Sequence, residues 1–155
     1  MNITRRVTLV WLGVMIVAVL CGCDESPKYW QPKQITCDLT KSGRNDIIQW
    51  VGVGNDGGGH PTHYEITVML NTGNPEKLFK DPIVVLKVSH NLEPLTDVKC
   101  VDLNGDGIPD LLYRVDQGYD MGGHPAQYNI MVAYGRGDGT FSGPILIRSE
   151  KPVGR

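Results

Sequence analysis

The stretch Asp102-Leu103-Asn104-Gly105-Asp106-Gly107-Ile108-Pro109-Asp110 decides how the chain is read. Oxygen-bearing side chains stand at loop positions 1, 3, 5 and 9. Hard cations such as Ca²⁺ take roughly six to eight oxygen ligands. A chain turning tightly around an ion presents every second residue inward, so alternate spacing suits that chemistry. Gly107 falls at position 6, where a sharp turn needs glycine, and Ile108 at position 7 offers only its carbonyl. Position 12 is Tyr113 rather than a bidentate Glu, which excludes an ordinary helix–loop–helix site. The residues that follow, Asp110-Leu-Leu-Tyr-Arg-Val with Gly118 soon after, read as a strand. The plain alternative is a Gly/Asp-rich turn that binds nothing. Three carboxylates crowded into this short loop repel one another unless a cation sits among them, which favours the metal reading.

Together with Gly135-Arg-Gly-Asp-Gly-Thr-Phe-Ser-Gly-Pro144, the loop resembles an FG-GAP/VCBS-type repeat, the calcium-loop blade of integrin α-like β-propellers. The resemblance covers Asp97 to about Ile147 well and the earlier half weakly. It implies four antiparallel strands with the loop between the first two. It also implies one structural Ca²⁺ held by Asp102, Asn104, Asp106 and Asp110 with the carbonyl of Ile108. Such repeats occur in adhesins, receptors, enzymes and surface proteins, so the likeness fixes no single activity.

Shifted by 64 residues, the chain aligns with itself. Between 38–69 and 102–133, 14 of 32 positions are identical without a gap, which signals blade-sized repeats. Asp38, Gly43 and Asp46 fall on Asp102, Gly107 and Asp110, and Tyr64, Ile66 and Val68 fall on Tyr128, Ile130 and Val132. Each unit reads as four strands. In the first they lie near 34–39, 46–53, 63–70 and 83–88; in the second near 97–103, 110–115, 127–134 and 144–149. The expected fold is all-β: two tandem four-stranded antiparallel propeller-blade-like units, about 35–90 and 97–150, packed together as an incomplete propeller within a domain spanning 35–155. Two blades cannot close a propeller, which takes about four or more. Outer faces therefore remain, or the chain forms a homo-oligomer. In the first loop Thr40 and Ser42 replace Asn104 and Asp106, while Lys41 and Arg44 add positive charge. That loop is expected to keep its turn without calcium, leaving one metal site, in the second unit only.

The N-terminus carries an address. Arg5 and Arg6 precede an apolar run of 14 residues, Val7 to Leu20, too short to span a bilayer and suited to a signal-peptide core. It ends Leu20-Cys21-Gly22-Cys23, which resembles a bacterial lipobox. The resemblance implies a lipoprotein signal peptide over 1–22, lipidation of Cys23, and an acylated N-terminus and tether over 23–34. Asp24 directly after the cysteine resembles an inner-membrane retention signal. The expected location is the cell envelope, lipid-anchored at the periplasmic face of the inner membrane, with the outer membrane or cell surface as the alternative. Removing 1–22 takes away two arginines and no acid, moving the formal charge from −2 to −4. An anchored acidic domain argues against nucleic acid as a partner. Cys37 and Cys100 then remain as a pair in an oxidising compartment. They are offset by one residue from repeat equivalence, because Cys37 aligns with Val101. Such an offset turns the two side chains to opposite faces. Neighbouring propeller blades pack front on back, so a Cys37–Cys100 disulfide is expected there.

The second candidate constellation is the pair of Gly-Gly-His-Pro loops. Asp56 and Asp120 lie four residues before His60 and His124, and Tyr64 and Tyr128 lie four after. His60 and His63 have spacing suited to Zn²⁺ or Cu²⁺, yet Gln127 replaces His63 in the second copy. The shared residues, glycines and a proline, set backbone shape. The loops therefore read as structural turns, with ligand contact as the competing role. No nucleophile elbow, HExxH or phosphate-cradling loop is present. The expected function is a membrane-anchored, calcium-stabilised module binding an envelope protein or glycan. An envelope hydrolase acting on glycan or peptidoglycan, and a purely structural or assembly lipoprotein, are the rivals.

Overall fold

The computed structural model describes residues 32–58, 60–89, 95–122 and 124–152. The signal peptide, Cys23 and all of the tether up to residue 31 lie outside the described residues. The fold is all-β among those described, with antiparallel sheets and none closed. One sheet holds β1 (Lys33–Cys37), β2 (Asp46–Val53), β3 (His63–Met69) and β6 (Ile83–Ser89), in the order β1-β2-β3-β6. The other holds β7 (Thr96–Val101), β8 (Asp110–Tyr119), β9 (Pro125–Ala133) and β10 (Ile145–Glu150), in the order β10-β9-β8-β7. A small hairpin of β4 (Asn71–Asn74) and β5 (Lys77–Phe79) stands apart. This hairpin departs from the expected pair of four-stranded units. Its second-unit counterpart is reduced to one bridge, Gly135 to Phe141.

The strands form where period-2 alternation is cleanest. In β3, Tyr64, Ile66 and Val68 are buried while His63, Glu65, Thr67 and Met69 are half-buried. In β2 the same alternation buries Ile48 and Trp50, and Gly52 has no room for a side chain. A Cβ at Gly52 would stand 2.8 Å from Cβ of Pro61, so the turn carrying Pro61 closes directly over the strand. The counterpart strand β8 runs on to Tyr119, beyond the expected end at Val115. Its pairing with β9 persists to Tyr119 opposite Pro125.

One hydrophobic core joins both sheets. Ile48, Trp50, Tyr64 and Ile66 of the first meet Leu111, Tyr113 and Val115 of the second. Trp50 Nε1 donates to the Leu95 carbonyl at 3.1 Å, which satisfies the indole where it is buried. The contributing faces are opposite ones. Ile48 and Trp50 are equivalent to Leu112 and Arg114, which lie on the outward side of β8; Leu111, Tyr113 and Val115 are equivalent to Ile47, Gln49 and Val51, outward on β2. The cysteines follow the same rule. Cys37 pairs with Asp46 and Cys100 with Leu111 in their ladders, and their sulfurs are bonded with Cα atoms 6.3 Å apart.

Two buried carboxylates hold the corners. Asp46 accepts the Leu39 amide at 2.9 Å and the Asn71 amide at 2.8 Å. Asp110 accepts the equivalent amides of Leu103 and Gly135, both at 2.9 Å. Each carboxylate ties the strand before the loop to the turn leaving the third strand. Asp46→Ala and Asp110→Ala each strand two amides, and each is expected to cost about 2–4 kcal/mol in urea unfolding. Removing the disulfide with Cys37→Ala and Cys100→Ala is expected to cost about 4 kcal/mol by loop-closure entropy.

Burial pushes the Tyr64 hydroxyl up to about 12, with Asp116 adding to the effect, and burial likewise pushes Tyr113 to about 12. The folded state thus holds these protons more tightly than the unfolded chain does. That contribution is complete below about pH 10, the unfolded tyrosine value, and is lost as pH rises through 12. Alkaline unfolding should therefore fall between those values, with two tyrosines ionising late in an absorbance titration. Tyr64→Phe should remove one of the two late ionisations.

Candidate metal loop and ligand cleft

The 102–110 loop is wound by its own side chains. Asp102 accepts the amides of Gly105 at 2.7 Å and Gly107 at 2.8 Å. Asn104 Oδ1 accepts the Asp106 amide at 3.0 Å, and its Nδ2 donates to Asp106 Oδ2 at 2.9 Å. Asp106 Oδ1 accepts the Ile108 amide at 2.6 Å. The Ile108 amide, the Asn104 side chain and the nearby Lys41 ammonium hold the Asp106 carboxyl below the usual carboxylate range. Gly107 adopts φ of 77°, the left-handed turn that its position in the loop demands.

The first loop serves as an internal control. Asp38 accepts the amides of Ser42 at 2.9 Å and Gly43 at 2.7 Å, much as Asp102 does in its own loop. Asp46 matches Asp110 bond for bond. Asp102 and Asp110 therefore have structural roles that need no ion. What sets the second loop apart is Asn104 and Asp106, whose counterparts are Thr40 and Ser42. The two loops also touch, since Lys41 Nζ donates to the Asp106 carbonyl at 3.3 Å.

The donor set is all oxygen, which fits a hard cation rather than a transition metal. Asp102, Asn104 and Asp106 are exposed, whereas Asp110 is buried with both oxygens on amides. Each of those oxygens keeps a lone pair beyond the amide it accepts, so a backbone bond and a metal bond are compatible there. Among the described residues no three Asp, Glu, His or Cys side chains converge closely enough to form a metal cluster. The structure thus brings Asp102, Asn104 and Asp106 together in one exposed loop and places Asp110 beneath it.

The paired His-Pro loops share one backbone design. Asp56 Oδ1 accepts the amides of Gly58 at 2.7 Å and His60 at 3.1 Å. Asp120 Oδ1 accepts those of Gly122 at 2.8 Å and His124 at 2.9 Å. Each aspartate amide also donates to the histidine carbonyl, at 3.0 Å and 2.9 Å. The aspartates therefore shape the turn. His63 Nδ1 stands 3.2 Å from the Thr62 hydroxyl and its Nε2 3.5 Å from Glu65, so its ring already has neighbours on both sides.

Burial separates the two loops. Tyr64 is 3% exposed beneath the second sheet, whereas Tyr128 is only half-buried. Asp120, His124 and Tyr128 line a cleft of about 330 Å³ with Lys151 and Pro152. Arg114 lies over the Tyr128 ring, 4.3 Å from its centroid, and its Nη2 is 3.3 Å from Asp97. The sequence named Asp120, His124 and Tyr128 from their spacing. Lys151 and Arg114 carried no local signal, because only the folded sheet brings them to Tyr128.

Asp56→Ala and Asp120→Ala are expected to destabilise by about 1–3 kcal/mol each, through amides left unpaired. His60→Ala and His124→Ala, whose side chains are not what closes the turns, should stay within about 0.5 kcal/mol. Thermal and urea melts of the four variants check the order. No family model, curated protein or solved structure matches this chain.

Proposed function

We propose that the protein is a lipid-anchored module of the cell envelope that binds a protein or glycan through the open cleft of its second unit. The observation that carries this is the contrast between the two tyrosines. The same Asp–His–Tyr arrangement has its tyrosine buried in the first unit and half-open in the second, where Lys151 lines the cleft beside it. An aromatic ring beside cationic and acidic groups suits sugars and polar peptide surfaces alike. The anchor is the acylated Cys23 implied by the lipobox-like ending of the apolar run. Opposite-face packing and the two corner carboxylates support a reading of the sheets as two propeller-like blades. Among the described residues no catalytic constellation stands out, so binding is preferred to hydrolysis.

Calcium enters this reading as a structural ion of the second loop. Asp102, Asn104, Asp106 and Asp110 with the Ile108 carbonyl would hold it. When bound it supplies positive charge among three carboxylates and thereby fixes the ends of β7 and β8. Binding to the folded state alone raises stability by mass action. Modules of this exposed type bind calcium at about 10⁻⁴–10⁻³ M.

Retention of the full-length protein on purified envelope glycans and on immobilised envelope proteins tests the reading. Tyr128→Ala is expected to weaken retention at least tenfold, with Tyr64→Phe leaving it intact. Calcium at millimolar concentration should raise the melting temperature, and Asp106→Ala should abolish that rise while Ser42→Ala preserves it. Retention unaffected by Tyr128→Ala would remove the cleft from the proposal, and a melting temperature indifferent to calcium and chelator would remove the ion.

A further inference from the structure

We propose that the outward face of the second sheet docks on the outward face of the first sheet of a second copy, so that two chains close a ring of four sheets. This rests on that face being a binding surface and makes a second copy the protein bound there, since docking would cover Tyr128 as the second sheet covers Tyr64.

The argument starts from the 64-residue equivalence. The core-facing residues Ile48, Trp50, Tyr64 and Ile66 of the first sheet correspond to Leu112, Arg114, Tyr128 and Ile130, which lie on the outward side of the second. The core-facing residues Leu111, Tyr113, Val115 and Met131 of the second correspond to Ile47, Gln49, Val51 and Thr67, outward on the first. The contact inside the chain is therefore head-to-tail. It leaves one unused head and one unused tail of the same kinds. A second copy supplies both complements in the same backbone geometry.

The replacements fit a contact made between molecules. Aliphatic centres remain, with Leu112 and Ile130 on one face and Ile47 and Val51 on the other. Around them Trp50 becomes Arg114, Tyr113 becomes Gln49 and Asn129 becomes Glu65. Arg114 is paired with Asp97 and Glu65 with Lys87 on their own sheets, so these polar positions keep each face soluble until it docks while the aliphatic centres and the repeat equivalence set the fit. A depression of about 270 Å³ bordered by Lys99, Leu112, Arg114 and Ile130 runs across the outward side of the second sheet. Head-to-tail contacts form rings when the rotation closes and filaments when it does not. About four sheets is the smallest number at which such rings close. A twofold along the ring axis leaves both N-termini on one side, as two anchors in one bilayer require.

The disulfide gives a ruler for the test. The counterpart of Cys37 is Val101, and that of Cys100 is Thr36; both are exposed. In the proposed contact, Val101 of one copy takes the place of Cys37 and Thr36 of the other takes the place of Cys100. Two differently tagged full-length chains, one carrying Thr36→Cys and the other Val101→Cys, are co-expressed and oxidised in native membranes. The expected result is a disulfide joining one tag to the other, mapped by peptide mass to positions 36 and 101. Either variant expressed alone should give none, and unsubstituted protein in detergent should sediment at twice the chain mass. A monomer by sedimentation overturns the proposal even if the cysteine variants fold poorly. Cross-links within a single variant indicate a face-to-face pair and overturn it too. So do a ladder of higher species or occupation of this face only by a different envelope protein. Loss of retention on envelope ligands with the 36–101 link intact would instead strike the ligand reading and leave the ring.

Discussion

Each half of this structure depends on one buried carboxylate. Asp46 and Asp110 sit at the start of β2 and β8, where the chain has just turned out of a loop. At such a corner the ladder cannot satisfy every amide, and an unpaired buried amide is costly. A single carboxylate solves this for two segments at once, by accepting one amide from the preceding strand end and one from the exit of the third strand. A buried carboxylate in turn needs those donors, since its charge is otherwise too expensive to desolvate. The two requirements cancel, and three separate stretches of chain become one fixed corner. Both long loops, with their aspartates wound around glycine amides, hang from these corners.

The second constraint is the choice of faces. A strand offers two, and a duplicated unit could pack like face on like face. Here the units meet through opposite faces, and the disulfide records it. Cys37 and Cys100 miss repeat equivalence by one residue, and that offset turns one side chain toward the other. Had the cysteines been equivalent, opposite-face packing would have sent one of them outward. The covalent bond and the hydrophobic core thus specify the same arrangement, which is what makes a two-sheet packing unique.

Much of this was legible in the chain. The bounds of β2 follow from the alternation of Ile48 and Trp50 with their neighbours, and the cysteine pairing follows from the offset. The β4–β5 hairpin was not legible. Asn71-Thr-Gly-Asn-Pro-Glu has no hydrophobic alternation, and it is held by its polar side chains: Asn71, Thr72 and Asn74 each accept the amide two residues on. The extension of β8 past Val115 was hidden because Asp116-Gln117-Gly118 breaks the apolar pattern. The reach of Lys41 to the Asp106 carbonyl spans 65 residues and leaves no local trace. Spacing placed Asp110 among metal ligands. Its duplicate Asp46, in a loop where Thr40 and Ser42 replace Asn104 and Asp106, reveals that the position also has a structural task.

That comparison within one chain carries further than either unit alone. Positions kept in both copies, such as the corner aspartates and the Asp–His turns, do the same hydrogen-bonding work twice. Positions that differ follow the environment instead. Trp50 lies in the core and Arg114 on the outside; Tyr113 lies in the core and Gln49 on the outside. The exchange is reciprocal, because the two sheets use opposite faces. Tyr64 and Tyr128, like Ile66 and Ile130, are identical in sequence yet one is buried and the other half-open. On the outward face the Tyr128 ring packs under Arg114, 4.3 Å from its centroid, where Tyr64 packs in the core between the sheets.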